Sequence, residues 1–176
     1  NDSAIIADFH KYLQTVFPIP DLLDYAKRHL ASLLTGLHDK RQFLHYYTGK
    51  GRNGKSMLVL LMETILGDYA GALDANFYTT ERPKRGQSSP DLVNIIGKRI
   101  AVTSEVNEGE KMFAGPMKQL TSATDKISCR PLYGNQIEFV AQANPIICAN
   151  YFLDVHSRDY GTWRRIRVIP FVSTFT

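Results

Sequence analysis

The chain has 176 residues, of which 44% are hydrophobic and 22% are charged, and its formal net charge is +4. This composition is typical of one folded domain and excludes disordered, collagen-like and coiled-coil proteins. No apolar run reaches the about 20 residues that a membrane-spanning helix needs, so we expect no membrane partner.

The first 40 residues are predicted to be helical. Apolar residues at helical spacing predict a helix over residues 7–16. The segment Phe17-Pro18-Ile19-Pro20 ends it, because proline cannot continue a helix. A second helix is predicted from Asp21, as its N-cap, to a C-terminal glycine at Gly36.

A strand, a glycine-rich loop and a helix follow one another in the next segment. Residues 43–47 are short and aromatic-rich, as strands are. Residues 49–54 form the loop, and residues 55–66 are strongly helical up to Gly67. This order is that of a phosphate-binding loop and its flanking elements.

The rest of the chain alternates apolar strands with short helices, which predicts an α/β layered fold with a parallel-rich sheet. A loop at 79–89 contains Arg82, Lys84 and Arg85. Helices are expected at 91–96 and 116–123, and strands at 99–106, 145–150 and 166–172. Gly134-Asn135 separates two hairpin arms, 127–133 and 136–140, and Pro131 should confine the first arm to a sheet edge.

Eight consecutive residues match the pattern G-x-x-x-x-G-K-[ST]. They are Gly49, Lys50, Gly51, Arg52, Asn53, Gly54, Lys55 and Ser56. In this pattern the backbone N–H groups surround a phosphate, the lysine reaches the β- and γ-phosphates, and the hydroxyl binds Mg²⁺. We therefore predict a nucleoside triphosphate site with Mg²⁺; the alternative is a glycine-rich turn that caps a helix.

A carboxylate is needed near this loop to hold Mg²⁺ and orient the attacking water. We expect it at the end of a buried strand beside the loop strand. The run Ile100-Ala101-Val102-Thr103-Ser104-Glu105 makes Glu105 the candidate, as metal ligand and general base. The alternative is a solvated charge at the end of a strand.

Two later segments supply further polar groups. Asn150 ends the apolar strand Pro145-Ile146-Ile147-Cys148-Ala149, where its amide could contact the γ-phosphate or the water; a turn residue is the alternative. Arg164 and Arg165 follow Trp163, and either could provide a positive charge to a neighbouring subunit's nucleotide. A surface salt-bridge or stacking cluster is the alternative there.

Five motifs in this order resemble those of superfamily 3 helicases, in the poxvirus-type and phage or plasmid primase–helicase branch: GKGRNGKS, IAVTSE, MKQLTSATDKISCRPLYGNQIEF, PIICAN and GTWRRIRVIPF. The resemblance implies an AAA+-like P-loop NTPase core over residues 41–176, with a β-hairpin insertion, preceded by a helical collar-like segment at 1–40. It implies a homo-hexameric ring that hydrolyses ATP at subunit interfaces and moves single-stranded DNA through its pore. It also implies a fragment of a larger replication protein, with a primase or origin-binding module upstream.

The resemblance assigns roles to individual residues. Lys55 and Ser56 correspond to Walker A, Glu105 to Walker B and Asn150 to sensor 1. Arg165 best matches the arginine finger, with Arg164 as the second choice. Residues 118–139 match the segment that ends in the family's pore hairpin.

The hairpin tip of this chain carries no cation, unlike that of the family. The candidates for nucleic-acid contact are therefore Lys126, Arg130, Tyr133 and Asn135. Ordinary exposed hairpin residues are the alternative.

Two other functions are alternatives to a helicase. One is a P-loop nucleotide switch or assembly ATPase that acts on protein partners. The other is a small-molecule kinase with the basic loop at 82–85 as its lid. Cys129 and Cys148 show no paired spacing, which indicates a reducing intracellular compartment, the host-cell or bacterial cytoplasm.

Overall fold

The computed structural model describes residues 2–36, 42–80, 89–104, 106–155 and 157–175. Its helices are α1 (Asp2–Val16), α2 (Pro20–Leu34), α3 (Lys55–Leu66), α4 (Asn76–Thr79), α5 (Pro90–Val93), α6 (Ala114–Leu120) and α7 (Tyr160–Trp163), with a 3₁₀ turn at Gly67–Tyr69. Its strands are β1 (Leu44–Thr48), β2 (Ala70–Ala72), β3 (Ile100–Thr103), β4 (Lys111–Met112), β5 (Lys126–Cys129), β6 (Ile137–Val140), β7 (Asn144–Ala149), β8 (Asp154–Val155) and β9 (Ile166–Pro170). No helix in these ranges is long and apolar enough to cross a membrane.

Five strands form a central sheet in the order β2-β3-β7-β1-β9, and every pair in it is parallel. All five residues of β1 and all four of β3 are buried, because parallel strands are covered on both faces. The prediction of a parallel-rich α/β fold is therefore confirmed. Two smaller sheets pair β4 with β8 and β5 with β6.

Alternate residues of the strands point to two separate hydrophobic layers. Tyr47 and Ile146 belong to a cluster with the buried residues of α1, α2 and α3. Tyr46 and Ile147 belong to a second cluster, with those of α4, α5, α6 and β5. The N-terminal helices thus share one core with the sheet, while a boundary near residue 40 stays a prediction.

α2 is attached to β1 by aromatic and polar contacts as well as apolar ones. The rings of His29 and His45 stack with their centroids 3.6 Å apart. His29 Nε2 also lies 2.8 Å from the hydroxyl of Tyr47, within the buried layer. These contacts fix the helix against the strand that precedes the glycine-rich loop.

Several predicted boundaries were wrong. α1 begins at Asp2, well before residue 7, and α2 begins at Pro20 with Ile19 as its N-cap, so Asp21 lies inside the helix. Proline is favoured at the first helical position, where its missing N–H has no intrahelical role. The first hairpin arm ends at Cys129, before Pro131, which therefore lies in the connecting loop.

The position of the IAVTSE strand also differs from the expectation. β7 lies between β1 and β3, so the strand that leads to Glu105 is not adjacent to the strand of the glycine-rich loop. The strand beside the loop strand instead leads to Asn150. Strand order depends on long-range packing, which local patterns do not encode. Glu105 itself and the basic residues at 82–85 lie outside the described residues.

Candidate functional site

The carboxyl ends of the five parallel strands meet at one edge of the central sheet. Thr48 of β1 pairs with Ala149 of β7, so Gly49 and Asn150 leave the sheet side by side. β3 ends one residue before Ser104 at the same edge. In open parallel sheets, ligands bind in the crevice outside these ends, which makes this edge the candidate site.

The glycine-rich loop has a backbone that demands glycine at some positions. Gly51 and Gly54 have φ values of +95° and +83°, which side chains disfavour. At Gly49 the requirement is steric, because a Cβ there would lie 2.1 Å from Asn53 Nδ2 and 2.6 Å from the carbonyl oxygen of Phe171. The loop ends directly at the N-terminus of α3, where N–H groups can bind an anion.

Two segments that are distant in sequence hold this loop in place. The N–H of Phe175 donates to the carbonyl of Arg52 at 2.7 Å, and the amide of Asn53 donates to the carbonyl of Phe171 at 3.4 Å. From α1, the hydroxyl of Tyr12 donates to the carbonyl of Gly54 at 3.4 Å. The loop therefore lies between the N-terminal helix and the C-terminal segment.

Lys55 occupies the centre of the site. Its Nζ donates to the carbonyl oxygen of Ala149 and to Oδ1 of Asn150, each at 2.8 Å. A lysine ammonium has three donors, so these two bonds leave one for a ligand. Burial lowers the pKa of Lys55, because desolvation disfavours the charged form.

A pocket of about 150 Å³ opens beside Lys55 and the first turns of α3. Ser56, Ser104 and Glu63 line it with oxygen atoms, and Cys148 and Leu60 also contribute to its wall. Hydroxyl and carboxylate oxygens are suitable ligands for Mg²⁺, so the donors fit that ion. Glu105 is adjacent to Ser104 in sequence, but its own position lies outside the described residues.

Cys148 does not provide thiolate chemistry to this pocket. Burial raises the pKa of its thiol to about 12, despite the opposing effect of Lys55. The thiolate is the nucleophilic form of cysteine, and this thiol stays protonated near neutral pH. The pocket is therefore suited to binding through lysine, hydroxyl and amide groups.

The arginine pair lies at the opposite edge of the sheet. The N–H of Leu44, the first residue of β1, donates to the carbonyl of Arg165 at 2.8 Å, whereas the loop begins after the last residue of β1. Five residues of strand separate the two, about 16 Å at 3.3 Å per residue. Neither Arg164 nor Arg165 is therefore brought to the pocket of its own chain.

Gln42 orients both guanidinium groups. Its Oε1 accepts hydrogen bonds from Arg164 at 2.5 Å and from Arg165 at 3.0 Å. Arg165 also donates to the carbonyl of Gly161 at 2.6 Å. Burial and the neighbouring charge of Arg164 lower the pKa of Arg165.

The hairpin residues lie on the two-stranded sheet of β5 and β6 and on the loop that connects these two strands. Lys126 forms an exposed ion pair with Glu138 across the strands, at 3.6 Å. The Nε of Arg130 donates to the carbonyl of Gly134 at 3.0 Å, which closes the loop. Tyr133 is 97% exposed, and Asn135 beside it is exposed as well.

Sequence reasoning did not find several residues of the site. The sequence indicates only that Ser104 and Cys148 belong to strands, although each lies within two residues of a predicted site residue. Tyr12, Phe175 and Gln42 come from other regions of the chain and belong to no motif. Only a contact map contains the signal that would identify them.

A solved structure has a similar fold. The apo C-terminal region of NrS-1 matches over 95% of this chain and 38% of its own, with a TM-score of 0.64 and 19% sequence identity. At that identity the likeness concerns the fold alone. The fold is a mixed α/β domain with helices on both faces of a parallel sheet.

Two of the sequence relatives are the following viral proteins. "Putative helicase L207/L206" of Acanthamoeba polyphaga mimivirus is 32% identical over 174 residues, covering 99% of this chain and 18% of that protein. "Putative primase C962R" of African swine fever virus (isolate Warthog/Namibia/Wart80/1980) is 27% identical over 157 residues, covering 88% of this chain and 16% of that protein. The chain thus spans less than a fifth of these relatives.

The family itself follows from residues 47–165, which match the model of the "Family of unknown function (DUF5906)". The chain belongs to that family. The matched range begins in β1 and ends at Arg165, so it includes the glycine-rich loop, Asn150 and the arginine pair.

Proposed function

We propose that this chain is the ATPase motor domain of a viral replication helicase. In this proposal it has an AAA+-like P-loop NTPase core of the superfamily 3 type. Six copies form a ring around single-stranded DNA, with a primase or origin-binding module elsewhere in the same protein. The observation that carries the proposal is the pair of 2.8 Å hydrogen bonds from Lys55 Nζ to Ala149 and Asn150. These bonds join the Walker A lysine to the sensor position across 95 residues of sequence.

In the proposed mechanism, the backbone of residues 49–54 and the N-terminus of α3 bind the phosphates of ATP. Lys55 uses its remaining donor on a phosphate oxygen, and Asn150 positions the attacking water. Mg²⁺, held by Ser56 and Glu105, would neutralise charge on the phosphates. Glu105 would accept the proton of the water.

The size of the pocket supports a site shared between subunits. Its volume of about 150 Å³ is smaller than the about 300–1,000 Å³ of ligand pockets in general. Arg165 is too far away to complete the site of its own chain. A neighbouring copy that presents Arg165 would both close the pocket and stabilise charge on the transferred phosphoryl group.

The decisive experiment mixes two inactive variants. We expect Lys55→Ala to abolish ATP binding and hydrolysis. Arg165→Ala should bind ATP normally and hydrolyse it about 10³-fold or more slowly, because an arginine finger contributes that much. Mixing them should restore part of the activity, since a Lys55→Ala chain can lend its Arg165 to an intact pocket.

Arg28→Ala is the matched control, because the ion pair that Arg28 forms with Asp24 is exposed. It should behave as the wild type. If the Arg165→Ala variant, unmixed, hydrolyses ATP at the wild-type rate, Arg165 is excluded as the arginine finger. Arg164 would then be tested in its place. A mixture that stays inactive would exclude sharing of the site.

Single-stranded DNA distinguishes a motor from a nucleotide switch or a kinase. A motor should hydrolyse ATP faster when DNA is added, and its DNA affinity should fall steeply with salt. A chain that hydrolyses ATP without either response would instead support the switch that acts on protein partners. The DNA assay and the mixing assay therefore test separate parts of the proposal.

A further inference from the structure

An apolar pocket of about 280 Å³ lies on the sheet face opposite α1, α2 and α3. Tyr46 of β1 and Val168 of β9 form its floor, and they are aligned neighbours in the sheet. Phe152 and Trp163 are part of its wall, and both are exposed at its rim. Because β9 is an edge strand, the pocket opens at the side of the molecule.

This pocket includes the two residues that flank the arginine pair in the chain. Trp163 and Ile166 both line it, and they bracket Arg164 and Arg165 in the chain. In the proposed function, the surface around Arg165 must face the nucleotide pocket of a second copy. The apolar pocket would then be part of that same contact.

The nucleotide pocket carries an apolar ridge of its own. Met57 and Leu60 are exposed on α3, one helical turn apart, directly after Lys55 and Ser56. Leu60 also lines the nucleotide pocket, so the ridge adjoins that pocket at Leu60. Glu63 adds a negative charge to this surface, which complements the two arginines on the other.

We propose that the apolar pocket beside Arg165 receives the Met57–Leu60 ridge of the next copy of this chain. The inference rests on the proposed function, which requires the two surfaces to meet. Two different surfaces in contact make a heterologous interface, and such interfaces close into rings when the rotation permits. Burial of the ridge would bring Arg165 of one copy to the phosphate loop of the next.

Disulfide trapping tests this contact directly. A Leu60→Cys chain and a Val168→Cys chain, both with Cys148→Ser, are mixed with Mg²⁺ and a non-hydrolysable ATP analogue and then oxidised. A covalent dimer is expected in the mixture and not with either chain alone. The control mixture uses Ile65→Cys and Val172→Cys, at positions of similar exposure outside both surfaces, and should give no dimer.

A charge placed in the pocket provides a second readout. Val168→Glu should weaken self-association at least about tenfold, because docking would bury an unpaired carboxylate. Val172→Glu is the matched control: Val172 is 50% exposed and Val168 is 44% exposed, and only Val168 lines the pocket. ATP binding by isolated Val168→Glu chains should equal that of the wild type.

The trapping result decides the docking proposal whatever the ATPase assay shows. No dimer in the Leu60→Cys and Val168→Cys mixture would overturn it, even if the wild type hydrolyses ATP as a ring. A second pair of results would also overturn the docking proposal: no dimer in the trapping experiment, and a Val168→Glu chain that unfolds more readily than the wild type. Together they would indicate that a segment of the same polypeptide occupies the pocket. A trapped dimer in a chain that hydrolyses no ATP would support the contact and refute the motor.

Discussion

Lys55 and Asn150 are joined by a 2.8 Å hydrogen bond from Nζ to Oδ1, although 95 residues separate them in sequence. The bond exists because β1 and β7 are adjacent and parallel, so the residues that follow them leave the sheet together. The side-chain amide of Asn150 therefore orients Lys55 before any phosphate binds at the loop.

Two substitutions of Asn150 should affect turnover and ATP binding differently. Asn150→Ala removes one partner of Lys55, and we expect turnover to fall about 10²-fold, the effect of losing one oriented polar group in an active site. Asn150→Asp should instead weaken ATP binding, because a carboxylate would pair with the ammonium and repel phosphate. Titration with a fluorescent ATP analogue and steady-state ATPase assays measure the two effects. Equal affinity in both variants would contradict the contact.

Gly49 and Gly51 should differ in their response to alanine. Gly51→Ala places a side chain at φ +95° with no described atom within 4 Å, so it should cost about 1–2 kcal/mol of conformational strain. Gly49→Ala also forces a clash with Asn53 and with the Phe171 carbonyl, and it should lower the melting temperature further. Thermal unfolding of the two variants is the measurement. The same melting temperature for both would refute the packing of the loop against the C-terminal segment.

The ion pair between Lys118 and Asp159 should make stability depend on pH. Hydrogen bonds from Lys118 and from the Gly161 N–H lower the pKa of Asp159 from 3.8 to about 2. A carboxyl with a lowered pKa contributes stability above its unfolded-state pKa, and this is lost as pH falls from about 4 through about 2.

The substitution Asp159→Asn tests this dependence. Asparagine caps helices as well as aspartate does, so the variant removes the charge and keeps the N-cap of α7. We expect a lower melting temperature at pH 7 and a smaller loss on acidification. Asp24→Asn, in an exposed pair with Arg28, is the control. An unchanged acid profile of Asp159→Asn would show that the pair contributes no stability.

Tyr133 should contribute to DNA binding without contributing to stability. Its side chain is 97% exposed, and base stacking on an aromatic residue is worth about 1–3 kcal/mol. Tyr133→Ala should therefore weaken binding of single-stranded DNA about 5- to 150-fold and leave the melting temperature unchanged. Tyr69→Ala, at an exposed tyrosine outside the hairpin, is the control for binding. Fluorescence anisotropy at fixed salt measures it, and equal affinity would remove Tyr133 from the interface.

Much of the local structure could be predicted from the sequence. The start of α3 after Gly54 follows from glycines that permit positive φ and from helix-forming residues after them. β3 and β7 are continuous apolar runs, which is the pattern of strands covered on both faces. β2, β4 and β8 were not predicted, because two or three residues are too few to show a period.

The arrangement of the site could be predicted only in part. The glycine-rich loop, Asn150 and the arginine pair can each be identified from the sequence, but the distances between them cannot. The expectation of a Glu105 strand beside the loop strand was wrong, because β7 occupies that place. The roles of the site residues in ATP hydrolysis stay predictions that the experiments above address.

The positions of the loop, the helices and the buried strands follow from local sequence, since they depend on backbone conformation and hydrophobic spacing over a few residues. Which residues meet depends on the tertiary fold. Parallel pairing of β1 with β7 and β9 places Lys55 and Asn150 at one edge and Arg165 at the other. That separation depends on the direction and order of strands distant in the chain. The positive charges of the chain thus include two separate positions: Lys55 in the pocket at one edge of the sheet, and Arg164 and Arg165 at the opposite edge.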